Sequence, residues 1–169
     1  MEVLECLEKR ISIRKFETEK ISESDIKKIL RAGFEAPSAM NRRPYDFIVN
    51  SDNAFWHELA PYKPTCDIMK DASLTILIVG DSNKNPTNEF LIEDCSCCAE
   101  NMLLAAKALG FDSLWAGIKW QSDFFNRLIT YFNLPAGFIP VAVLSFGKPG
   151  EKKVQVERYD EKKVHHGKF

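Results

Sequence analysis

A chain of 169 residues with Lys+Arg 23 against Asp+Glu 24 and a formal net charge of −1 lacks the basic excess of a nucleic-acid surface, so the expected partner is a small molecule. Its length suits one domain, residues 1–169, with a real hydrophobic core. Five cysteines, three of them crowded at Cys95, Cys97 and Cys98, argue against a secreted disulfide framework. With no apolar run of membrane-spanning length and no basic start to residues 1–5, they predict a cytoplasmic protein without membrane contact.

Residues 2–9 read as a short helix with Val3, Leu4 and Leu7 on one face. It delivers the stretch Arg10-Ile11-Ser12-Ile13-Arg14-Lys15-Phe16. In an extended chain alternate side chains share a side, so Arg10, Ser12 and Arg14 converge while Ile11 and Ile13 turn away. Two guanidinium forks and a hydroxyl suit a phosphate or another oxyanion; the alternative is a solvated basic turn.

Ser22 reads as an N-cap with Asp25 three residues on, flanked by the staple pair Ile21 and Ile26. The helix it opens should bury Ile26, Ile29, Leu30 and Phe34 and end before Pro37. The loop Glu35-Ala36-Pro37-Ser38-Ala39-Met40-Asn41-Arg42-Arg43-Pro44 follows, with prolines near both ends and small or amide side chains between. Such a loop lets backbone amides approach a flat ligand, and an Asn amide matches a heterocycle edge; it is also ordinary punctuation between helix and strand.

Tyr45 to Val49 predicts a strand, and Phe55, Trp56 and Leu59 line a short helix before the irregular Pro61-Tyr62-Lys63-Pro64. Leu74 to Val79 is a continuous apolar strand ending at Gly80, and residues 83–86 are loop. From Glu89 to Leu109 the pattern is helical, yet apolar residues cover most of the circumference. Such a helix must be buried on several faces. Gly110 supplies its left-handed stop. Ser113 to Ile118 is a strand, Ser122 caps a helix to about Phe132, Phe138 to Phe146 is a strand, and the polar tail from Gly147 would be disordered in isolation.

Four pieces in this order resemble the FMN-dependent nitroreductase family. They are Arg10, Ser12, Arg14 and Phe16; then Ala36, Pro37, Ser38, Asn41 and Pro44; then Asp94 through Gly117, including Asn101-Met102-Leu103-Leu104 and Trp115-Ala116-Gly117; and last Pro140 to Pro149 with Arg158-Tyr159-Asp160. The resemblance spans nearly the whole chain. It implies an α+β fold, with a central mixed, mainly antiparallel sheet flanked by helices in an intertwined homodimer. It further implies FMN as cofactor, NADH or NADPH as reductant, and a nitroaromatic, quinone or other small oxidant, with reductant and oxidant using one space in turn.

By that resemblance Arg10, Ser12 and Arg158 would hold the phosphate and ribityl chain. Arg14 would sit at the pyrimidine edge, where positive charge favours the anionic reduced flavin. Pro37, Ser38, Ala39 and Asn41 would come from the other subunit to the ring system, and the Trp115–Gly117 backbone would approach the dimethylbenzene or central ring. No side chain need act as acid or base, because the cofactor carries the chemistry. The segment after residue 51 is shorter than the insertion often found in the family. Arg43 stands where the family usually has Gln, and Arg42 doubles its charge. Relatives of the family also dehalogenate, dehydrogenate peptides or break down the flavin itself, and these stand as alternatives, as does a flavin-binding regulatory or storage protein without turnover.

Other chemistries find less support. No two of the eight glycines are one residue apart, so neither a dinucleotide fingerprint nor a P-loop is present. A helix places Cys95 and Cys98 on one face and Cys97 on another, with no clear fourth metal ligand. His57, His165 and His166 lack a partner motif, and there is no Gly-x-Ser-x-Gly elbow.

Overall fold

The computed structural model describes residues 1–84 and 89–169. Its centre is a four-stranded sheet in the order β1-β2-β4-β3, with β1 Tyr45–Asn50, β2 Leu74–Asp81, β3 Asp112–Gly117 and β4 Phe138–Gly147. All three strand pairings are antiparallel. One isolated parallel bridge, Ser12 to Ser113, adds the basic stretch to the free edge of β3. The middle strands are the two continuous apolar runs, as a strand covered on both faces requires. All eight residues of β2 are buried. Pro140 falls where the β2–β4 register shifts beside Ile78 and Val79, the kind of irregularity at which a residue without an N–H fits inside a sheet.

Alternation along the strands divides the core in two. Leu74, Ile76, Ile78, Leu144 and Phe146 face α2 (Glu23–Phe34) and α5 (Leu91–Ala108), whereas Leu77, Val79, Val143 and Ala116 face Trp56, Leu59, Met69 and the apolar side of α6 (Asp123–Tyr131). The expected caps are present. Ser22 Oγ accepts the Asp25 amide at 3.2 Å and Ser122 Oγ the Phe125 amide at 3.2 Å. Helices α2 and α5 meet at Gly33, where a Cβ would lie 2.3 Å from Met102 Cε and 3.1 Å from Cys98 Sγ. Gly110 ends α5 with φ +85°, the left-handed stop its position predicts.

The expected burial of Phe34 is corrected, and other apolar side chains also lie outward. Phe34 is 48% exposed, because it ends α2 over the edge strand β1, its ring edge-on to Phe47 at 4.9 Å. The apolar face of α1 (Val3–Lys9) points outward, with Leu4 73% exposed and only Cys6 buried. Phe90 and Ile92, at the start of α5, are also exposed. The expected loop at residues 83–86 holds for Asn83, whose amide bonds Asp81 Oδ1 at 3.0 Å, while residues 85 and 86 lie outside the described residues.

The segment that resists reading from sequence, residues 51–70, forms two single-turn helices, α3 (Trp56–Leu59) and α4 (Cys66–Met69). A buried polar chain locks it to the sheet. Thr75 Oγ1 donates to Asn53 Oδ1 at 2.7 Å and accepts from Trp56 Nε1 at 3.0 Å, while Asn53 Nδ2 donates to the Ala72 carbonyl at 2.9 Å. Removing the central hydroxyl strands a buried donor and a buried acceptor together. Thr75→Val should therefore cost about 1–3 kcal/mol of stability, read as a lowered urea midpoint with an unchanged slope.

Candidate functional site

The stretch 10–16 crosses the end of the sheet and does not form a free turn. The Ile13 amide donates to the Ser113 carbonyl at 3.0 Å, and Phe16 bridges Pro149 just past β4. Ile13 is buried, Arg10, Ile11 and Ser12 are half-buried, and Arg14 and Lys15 are exposed, so only Ile13 turns fully inward as the alternation predicts. Arg10 Nε approaches Glu100 Oε1 of α5 at 3.5 Å. Arg14 makes no ion pair among the described residues, which leaves its five donors to the solvent side.

The polar tail runs antiparallel beside this stretch. Its pairing begins where Glu17 N–H donates to the Lys148 carbonyl and Gly150 N–H to the Lys15 carbonyl, at 3.0 and 2.9 Å. The Arg14 amide then donates to Glu151, holding that half-buried carboxyl below its ordinary pKa. Lys153 Nζ donates to the Ser12 carbonyl at 2.6 Å, and Gln155 to the Glu8 and Arg10 carbonyls. Arg158 ends the series, with Nη2 3.2 Å from the Arg10 carbonyl and 2.9 Å from Gln155 Oε1. A tail that composition alone leaves without structure is thus tied, bond by bond, to the basic stretch. Trp115 and Gly117 are also near, two and four residues along β3 from the Ser113 bridge. Gly117 is exposed, and the nearest atom to a Cβ placed there, Trp115 Nε1, is 3.9 Å away.

The second cluster lies elsewhere. Pro37 and Asn41 are exposed and Ser38 and Ala39 half-buried, in a loop containing a single 3-10 turn, Ala39–Asn41. Met40, Asn41 and Arg43 all have positive φ, 54°, 54° and 48°. Left-handed backbone costs roughly 1–2 kcal/mol per residue outside glycine, least for Asn, so this loop is held against its preference. Ser38 Oγ accepts the Arg43 amide at 2.9 Å, and Asp94 Oδ1 on α5 accepts the Ala39 amide at 2.8 Å. Arg43 Nε lies 3.1 Å from Asn41 Oδ1. Since a guanidinium only donates, Asn41 must turn its oxygen to Arg43 and its NH2 outward. Asp94 is a site residue that sequence reasoning overlooked; its one signal is an acid inside the apolar run Leu91-Ile92-Glu93-Asp94-Cys95.

Within one chain the two clusters do not converge. Glu100, against Arg10, and Asp94, against the loop, lie six residues apart on α5, about 9 Å along the axis and about 240° around it. Two grooves of about 600 and 620 Å³ flank the basic stretch, one between α1 and residues 155–158 and one beside Arg14 and Lys70, and neither is lined by the 37–43 loop.

A model of the nitroreductase family matches residues 7–63 and 50–148. The chain belongs to the nitroreductase family. A Methanothermobacter thermautotrophicus protein, provisionally named an NADH dehydrogenase/NAD(P)H nitroreductase, is 33% identical over 98% of this chain and 86% of its own. A solved Bacteroides thetaiotaomicron structure with the same provisional name is 32% identical, covers 99% of this chain and 98% of its own, and superposes with a TM-score of 0.91. A Desulfovibrio desulfuricans nitroreductase-type structure, solved in complex with FMN, is 27% identical with a TM-score of 0.83, over 100% of this chain and 98% of its own. The fold is therefore that of the nitroreductases, a family of oxidoreductases. No helix among the described residues is long and apolar enough to cross a membrane.

The cysteines divide as helical geometry predicts. Cys95 and Cys98 are buried in α5 beside Gly33 and the sheet, and Cys97 is exposed on the opposite side. Burial pushes the Cys98 and Cys66 thiols up to about 12 and raises that of Cys95 as well. Of these four cysteines, a thiol-specific chromogenic reagent at neutral pH should find only Cys97 fast-reacting in the native protein, the buried three reacting on unfolding. An unfolded thiol ionises near 9.0, so the stability linked to Cys66 and Cys98 is intact below that pH and lost as pH rises toward 12. Urea midpoints should fall across this window, and fall less in a Cys66→Val, Cys98→Val variant.

Proposed function

We propose that this nitroreductase is a single-domain, cytoplasmic, FMN-dependent oxidoreductase that takes reducing equivalents from NADH or NADPH and passes them to nitroaromatics, quinones or similar small acceptors in two alternating half-reactions. The observation that carries the reading is the cationic edge built from Arg10, Ser12 and Arg14, with Arg158 folded onto its backbone. Its donor set fits a flavin mononucleotide. Guanidiniums that never deprotonate and a free hydroxyl suit a phosphate, and the NH2 that Asn41 turns outward suits a carbonyl of a planar ring. FMN, when bound, supplies the two-electron redox chemistry. The FMN complex of the Desulfovibrio desulfuricans neighbour supports the choice of cofactor.

In this reading the chain's own residues bind and orient. Arg10, Ser12 and Arg158 neutralise the phosphate end. Arg14 places a permanent charge toward the ring's pyrimidine edge, where it stabilises negative charge developing on reduction. The exposed, side-chain-free edge at Gly117 lets backbone come close to the ring face. Pro37, Ser38, Ala39 and Asn41 contribute from a second copy, because a single chain carries them on a different side of α5 from Arg10. A homodimer also accounts for the outward apolar side chains Val3, Leu4 and Leu7, whose burial is worth about 1.5–3 kcal/mol apiece. Arg42 and Arg43, both exposed on the loop, favour an anionic acceptor.

The absorption spectrum of the freshly purified protein tests the cofactor: two visible flavin bands are expected, bleached on anaerobic mixing with NADH or NADPH. A protein that stays colourless and shifts no band of added FMN would sink the reading. Arg10→Ala should weaken FMN binding on the order of 10- to 100-fold, the loss of one charged hydrogen-bond set. Arg43→Ala should raise KM for anionic acceptors over neutral ones, measured in steady-state assays, and weaken FMN binding far less than Arg10→Ala, since Arg43 reaches the ring only through the Asn41 amide. Leu4→Glu should shift the species seen by analytical ultracentrifugation from dimer toward monomer.

A further inference from the structure

Asp94 is 5% exposed and sits in the first full turn of α5 among apolar neighbours, Leu91, Cys95 and Cys98. One carboxylate oxygen accepts the amide of Ala39, 55 residues away in sequence; the other, Oδ2, is buried without a hydrogen-bond partner among the described residues. Desolvating a carboxylate for a single bond is costly, and an apolar side chain would fill the same space at no such cost. What the residue supplies is therefore position. The amides of Asn41, Arg42 and Arg43 bond within the turn itself, to the Ser38 carbonyl, the Ala39 carbonyl and Ser38 Oγ, at 2.9, 3.2 and 2.9 Å. Those bonds give the turn its shape but do not fix it to the body of the molecule. The Asp94 bond does, at the residue just before the left-handed pair Met40 and Asn41.

We infer that Asp94 is the positioning residue of the 38–43 loop: by accepting the Ala39 amide it holds the turn in its left-handed form and so aims the Asn41 amide. The purpose of that aim rests on the FMN reading above, whereas the tether is a property of the chain alone. Asp94 itself does not reach a ligand; it acts through the backbone of Ala39. Asn in its place keeps an oxygen for that amide. Leu keeps the volume and removes the acceptor.

The test compares the purified full-length parent with Asp94→Asn, Asp94→Leu and Thr75→Val, the last a destabilised control on the opposite face of the sheet. Trypsin reports the loop directly, since it can cut after Arg42 while the following Arg43-Pro44 bond resists it; fragments are followed by mass spectrometry. Cleavage after Arg42 should be roughly tenfold or more faster in Asp94→Leu, near the parent rate in Asp94→Asn, and unchanged in Thr75→Val. FMN titration should show weakened affinity in Asp94→Leu alone, with an altered visible circular dichroism of whatever FMN is bound at saturation. Parent-like cleavage in Asp94→Leu would overturn the inference. So would an Asn variant that behaves like Leu, or a Thr75→Val control that opens the loop equally. A parent that takes up no FMN would fail the functional reading only, and the proteolysis comparison would still decide the tether.

Discussion

An eighteen-residue helix that is apolar around most of its circumference has to be covered from several directions, and the layout of this protein follows from how α5 meets that demand. The sheet covers one side through Ile76, Ile78 and Leu144; α2 covers another, close enough that a Cβ at position 33 would have to displace the Met102 methyl. The few polar side chains on α5 become fixed points. Glu100 faces Arg10, Asn101 donates to the Ala32 carbonyl at 3.1 Å, and Asp94 takes the Ala39 amide. The helix is thus a ruler along which the cationic edge and the strained loop are set, and its pitch keeps them on different sides of one chain.

The cationic edge depends on a different economy. Arg10, Ser12 and Arg14 lie on a segment too short and too charged to hold itself extended, and it is held from both flanks. On one side stands the Ser113 carbonyl of β3; on the other runs the tail, whose Lys153, Gln155 and Arg158 donate to main-chain carbonyls of the segment. A cation that donates to a neighbour's carbonyl stays close to it without neutralising its side chain. Arg10 approaches Glu100 and Lys153 lies 3.4 Å from Glu151, so the positive charge left without an ion pair among the described residues is that of Arg14 and Arg158, which is the state an anionic group needs to find.

Much of the local structure was legible because each signal acts over a few residues. Ser22 and Ser122 as caps, Gly110 as a left-handed stop, and the apolar runs at 74–79 and 138–146 as central strands all follow from backbone chemistry within one turn or one strand. The two candidate stretches, 10–16 and 35–44, stood out as residue types with a chemistry suited to a ligand, and what they bind is a proposal. Residues 51–70 were legible only as the short helix at Trp56–Leu59; how they are locked to the sheet was not, since that comes from the Thr75–Asn53–Trp56 chain, which joins residues some twenty positions apart. Phe34 was misjudged for a related reason. Periodicity identifies an apolar face but says nothing of whether a partner lies against it.

The sequence by itself determined the elements, their caps and stops, the chemistry available at Arg10, Ser12, Arg14 and Asn41, and the family to which the chain belongs. Each of these depends on short-range covalent geometry or on residue identity. Tertiary structure alone decided three further things. The tail pairs with the basic stretch about 140 positions before it, Asp94 tethers a loop 55 positions away, and the two halves of the candidate site part company around α5. Those outcomes depend on which distant surfaces are buried together, a competition among desolvation, hydrogen bonding and chain entropy that no local pattern records.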